Sequence, residues 1–145
     1  MHTVTLAIRI CLGILALNEL VVGVWNVFWP LGFYRHFPTV DQTPPFSEHY
    51  ARDFGGATVG LAVLLVLACV SPKAHFVIPA CAAFLVFAVP HFVFHTGHLD
   101  QATTLEATLL VASLGIVVLL AGCAIVLTLL RDRAAAPADP AVPPD

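Results

Sequence analysis

Seven histidines stand in this chain of 145 residues, and three of them share one spacing. The segment P-H-F-V-F-H-T-G-H-L-D carries His91, His95 and His98 at i, i+4 and i+7. On a helix those three lie within about 60° of one another. Two imidazoles at i, i+4 can share one metal ion. His98 stands about 10 Å farther along the axis than His91, so it joins them only if the helix bends after Gly97. Pro90 removes a backbone hydrogen bond just before His91 and is expected to kink the helix there.

A second segment, F-S-E-H-Y-A-R-D-F-G-G, holds two i, i+4 pairs: Glu48 with Arg52, and His49 with Asp53. With Gly56 and Gly60 these residues fall within about 140°. A Gly-x-x-x-Gly spacing lets another helix approach closely. The polar face is therefore expected to point into a bundle. Elsewhere, Asn18, Glu19 and Asn26 fall within about 100° on one helix, and Thr103, Glu106 and Ser113 within about 80° on another.

These residues are set in an apolar chain. It is 59% hydrophobic and 10% charged, with a mean hydropathy of +0.93. A soluble domain carries about 25% charged residues. Six Lys and Arg supply no basic patch for phosphates, so nucleic acid is not an expected partner. Four apolar runs, at about 3–29, 47–70, 74–97 and 103–130, each reach the ~20 residues that cross a bilayer core. They lack the alternation of barrel strands, and helices satisfy every backbone group in lipid. The expected fold is all-α: an integral membrane four-helix bundle over 1–131. An Ala/Pro/Asp-rich tail at 132–145 is expected to be disordered. Asn18 and Glu19 interrupt the first run, which argues against a cleaved signal peptide.

Arg9, Lys73, Arg131 and Arg133 collect at one end, so both termini are expected in the cytoplasm of a cell-membrane protein. In that topology all four cysteines fall in the cytoplasmic half, where free thiols are expected. Trp25, Trp29, Phe33, Tyr34, Phe37, Phe46 and Tyr50 gather at the other end. They fit an aromatic belt or a small core of the connecting loop at about 30–45.

At 1.5 Å per residue, Glu19, Asp53, His91 and Glu106 all lie roughly 5–15 Å below the outer surface. Ionisable groups within spans mark function by default. The expected site is a metal centre of His49, Asp53, His91, His95 and His98, holding a divalent ion such as Zn or Fe. One outer-side haem is the alternative cofactor. Glu19 is expected as general base and Arg52 as the holder of an anionic group. Asn18, Glu48 and Glu106 are further polar candidates. This chemistry suits a metal-dependent membrane oxidoreductase or hydrolase acting on a lipid-soluble substrate. The rival readings are a metal-free proton-coupled carrier or channel subunit, and a structural or assembly protein. Besides the lipid bilayer, further copies of the chain are an expected partner.

The two quoted segments resemble small bacterial four-span membrane proteins of unassigned function. In size and span count the chain is also similar to DoxX-like membrane proteins. The resemblance covers most of the chain and implies no particular chemistry.

Overall fold

A computed structural model describes residues 2–42 and 45–136. Among them are five helices and a short 3-10 turn, with no strand. Helix α1 spans His2–Phe28, α2 Pro30–His36, α3 Glu48–Val70, α4 Ala74–Thr96 and α5 Thr104–Ala135; the turn is Val40–Gln42. Helices α1, α3, α4 and α5 are each long and apolar enough to cross a membrane, which suggests a multi-pass membrane protein.

The four long helices pack in chain order: α1 on α3, α3 on α4, α4 on α5, and α5 back on α1. The α1–α3 seam is the closest, and the α3–α4 seam the loosest. Two glycines explain the first. A Cβ on Gly23 would stand 2.9 Å from the Gly55 carbonyl oxygen. A Cβ on Gly55 would stand 2.8 Å from the Gly23 carbonyl oxygen and from the Val27 backbone nitrogen. Backbones approach this closely only where both helices lack a side chain. The expected motif, Gly56-x-x-x-Gly60, lies on the exposed side, with nothing near either glycine. The packing glycine is thus Gly55, one residue earlier and about 100° around the helix.

Local signals set the helix ends. Ser47 accepts from the Tyr50 amide and caps α3. Thr103 and Glu106 form a reciprocal capping box on α5. Helix α4 runs on through Pro79 and Pro90. At the C-terminus, α5 continues to Ala135, so the expected tail begins as helix; residues 137–145 lie outside the described part.

The two ends of the bundle differ. Toward the tight turn after α3, Ile8, Leu12, Leu15, Leu65, Val77 and Ala124 are buried in a continuous core. Arg9 reaches the Val70 carbonyl at 3.3 Å there, satisfying an end group of α3. The other end, covered by α2 and the following turn, is hollow. The connector expected as loop holds α2 and its own ring cluster. Trp25 meets Phe33 edge-on at 5.6 Å, and Phe33 stacks on Phe37 at 4.6 Å. Trp29 and Tyr50 are exposed. Of the two roles expected for these aromatics, Trp25, Phe33 and Phe37 take the small core, while Trp29 and Tyr50 remain on the surface.

Candidate functional site: a chamber around Glu19

A cavity of about 210 Å³ lies inside the hollow end. Glu19 and Asn18 reach it from α1, Thr58 from α3, His91 and His95 from α4, and Ser113 from α5. Phe54, Phe84, Phe87, Leu110 and Val117 give it apolar walls, and Phe33, Phe37 and Thr39 cover it. Thr39 holds a positive φ of 68°. That conformation is unfavourable for a β-branched residue and marks this cover as locally strained.

Glu19 is the least ordinary residue in the chamber. It is only 3% exposed. Its Oε1 accepts from Asn18 Nδ2 at 3.1 Å. Its Oε2 is the one buried side-chain nitrogen or oxygen among the described residues with no hydrogen-bond partner. No Lys, Arg or His nitrogen among them makes an ion pair with it. An unsatisfied buried acceptor is costly, by roughly 1–3 kcal/mol. Such a cost persists where the group has work to do.

Four rings that line the same chamber form a row. Phe54 and Phe87 are 5.7 Å apart between centroids, Phe87 and His91 5.2 Å, and His91 and His95 4.6 Å. His91 and His95 are half-buried. A second cavity, about 670 Å³, shares this row and lies beneath α2, with Pro30, Tyr34, Phe46 and Tyr50 around it. Phe33, Val40, Phe54, Phe87, His91 and His95 line both cavities. The pair of histidines thus stands between an inner chamber and an outer vestibule at the loose α3–α4 seam.

The remaining expected site residues are elsewhere. His49 Nε2 and Asp53 Oδ2 are 3.3 Å apart, with side chains 89% and 66% exposed. Their face of α3 is turned away from the bundle, which corrects the expectation that it points inward. Glu48 Oε1 accepts from Arg52 Nη2 at 2.8 Å and Nε at 2.9 Å. Arg52 also donates through Nη1 to the Val27 carbonyl at the end of α1. Arg52 thus ties α3 to α1. His98 follows α4; its Nδ1 lies 2.7 Å from the Phe94 carbonyl, and its ring stacks on Phe94 at 4.1 Å. The carbonyl only accepts, so Nδ1 carries the proton. Glu106 Oε2 accepts from Thr103 N and Oγ1, both at 2.8 Å. None of these side chains lines either cavity.

The five expected metal ligands are therefore split between the outside of α3, the inner chamber and the surface after α4. Among the described residues no three His, Cys, Asp or Glu are grouped so as to hold a metal ion. Cys11, Cys69, Cys81 and Cys123 are free. Sequence reasoning missed Phe84, Phe87, Thr39 and Thr58 as parts of the chamber. Apolar side chains at every helical position hide which ones face a cavity, and no local pattern signals the conformation of Thr39. Comparison with protein families, with curated proteins and with solved structures found no match.

Proposed function

We propose that this is a cell-membrane protein that binds a small lipid-soluble molecule in the chamber and exchanges a proton with it through Glu19. The observation that carries this reading is the buried carboxyl of Glu19, a residue lining the cavity, whose Oε2 has no hydrogen-bond partner. A ligand with one polar end and an apolar body would satisfy that oxygen and fill the apolar walls. A carboxyl takes up or gives a proton, and His91 and His95 stand between it and the vestibule as the next groups able to do so. In this reading the loop end faces outward, since Arg9, Lys73, Arg131 and Arg133 gather at the opposite end.

The reading is metal-free. The chamber presents two imidazoles and one carboxyl, and no three His, Cys, Asp or Glu are grouped among the described residues, so the divalent ion is not carried forward. What is kept is the lipid-soluble partner and the role of Glu19 in moving a proton. The site is suited to a carrier or to a small binding protein, and both begin with occupancy of the chamber.

The test uses 2-naphthol, a fluorescent, lipid-soluble hydrogen-bond donor, with the protein in lipid nanodiscs and empty nanodiscs as reference. Saturable binding is expected for the wild type. Ala88→Phe, which fills the chamber from its buried wall, and Glu19→Leu are each expected to weaken it about tenfold, the effect of removing one charge-assisted hydrogen bond or the space it needs. Binding indifferent to both substitutions would overturn the proposal.

A further inference from the structure

The chamber is lined by a carboxyl without a counter-charge and by a row of aromatic rings, and this selects among lipid-soluble ligands. We propose that its preferred occupant is a lipophilic organic cation: an ammonium group carried on an apolar body. The inference rests on the binding role just described and goes further by naming the ligand's chemistry.

Four observations converge. Glu19 Oε2 lacks a hydrogen-bond donor. An N–H of an ammonium supplies one, and a charge-assisted bond is roughly twice as strong as a neutral one. No Lys or Arg lines the chamber; Arg9 is engaged on the Val70 carbonyl and Arg52 on Glu48 and Val27. Neither His91 nor His95 is within ion-pair distance of Glu19. Finally, Phe54 and Phe87 line the same chamber as Glu19, and aromatic rings attract cations most where water is excluded.

The alternatives fit less well. An anion would meet the Glu19 carboxyl. A hydrocarbon would leave Oε2 as unsatisfied as before. A neutral alcohol would satisfy Oε2 but gain nothing from the ring quadrupoles. The apolar body of the ligand would follow the shared wall past His91 and His95 into the vestibule, which both cavities line.

The test compares 4-phenylbutylamine with 4-phenylbutan-1-ol on the wild-type protein in nanodiscs, with partition into empty nanodiscs subtracted. The two share chain length and ring, and both donate a hydrogen bond; only the amine is charged. The amine is expected to bind roughly tenfold tighter, and Glu19→Gln to reduce that ratio to near one. Phe87→Leu, which keeps Glu19, is expected to lower the ratio about threefold. If Glu19→Gln loses its helical circular dichroism, the wild-type ratio and Phe87→Leu decide. Equal binding of amine and alcohol, both saturable, would overturn the cation and leave the binding role standing. An amine preference that survives in folded Glu19→Gln would overturn Glu19 as the counter-charge. No saturable binding of either probe would overturn both readings.

Discussion

The start of α3 and the chamber beside α4 hold the same kinds of residue at the same spacing. Each has residues four apart with imidazole or carboxyl groups. On α3, Glu48 turns to Arg52 and His49 to Asp53, and both pairs are exposed. Within the bundle, His91 and His95 stand ring to ring, and Glu19 keeps an oxygen with no partner. The first group satisfies itself along its own helix and asks nothing of a ligand. The second is left with an unmet need in an apolar space. The difference teaches that spacing alone does not mark a site; the environment that withholds partners does.

The largest expected effect breaks the comparison at the backbone. Gly55 and Gly56 are neighbours about 100° apart on α3, one packed and one open. Gly55→Leu would drive a side chain into the α1 backbone and is expected to cost about 3 kcal/mol or to prevent folding. Gly56→Leu has open space and should change stability by less than about 0.5 kcal/mol. Thermal unfolding of both in the same detergent checks this. A large loss at Gly56 instead would show that the exposed face is covered by another copy.

Next in size is Glu19→Leu. Removing an unsatisfied buried acceptor should stabilise the protein by roughly 1–3 kcal/mol while weakening ligand binding about tenfold. Unfolding and binding measured on one preparation would show the opposite signs. Loss of both together would mean that Glu19 serves the fold.

Arg52→Ala should be milder, about 1 kcal/mol, because it frees the exposed Glu48 and the Val27 carbonyl. His49→Ala and Asp53→Ala should each fall within about 0.5 kcal/mol and leave binding unchanged, which chemical unfolding and probe titration would register. A binding defect at His49 would return α3 to the site.

The smallest effect concerns the cover. Thr39→Gly relieves a positive φ but loosens the unfolded chain, so a net gain of about 0.5 kcal/mol is expected. Greater thermal stability supports the strain; a loss would show that the Thr39 hydroxyl on the Pro38 carbonyl matters more.

The helices themselves were legible in the sequence. The run expected at 47–70 is helix Glu48–Val70, and the one at 74–97 is Ala74–Thr96. Length and hydropathy determine these elements, because a lipid core demands both. The facing of the helices was not legible in the same way. A helix apolar nearly all round has no stripe to say which side is buried, so polarity was read as pointing inward. That reading fits Glu19, His91 and His95. It misplaces Glu48, His49, Arg52 and Asp53, which stand near a helix end where polar groups can face outward. The i, i+4 spacing that suggested shared ligands is also the spacing at which side chains pair with each other. The glycine motif misled for the same reason: Gly56 and Gly60 match the pattern, yet Gly55 makes the contact with Gly23.

The central claim is that Glu19, unlike the paired carboxylates, keeps one oxygen without a partner and is reached through an apolar cavity. Labelling with dicyclohexylcarbodiimide tests it directly. This lipid-soluble reagent adds whole to a carboxyl together with its proton, the form open to Glu19 while no cation lies beside it, so the product is seen as a fixed mass increase on one peptide. The account predicts an adduct on Glu19, suppressed by Ala88→Phe, with Glu48, Asp53 and Glu106 unlabelled. An unlabelled Glu19 beside labelled Glu48 or Asp53 would contradict it.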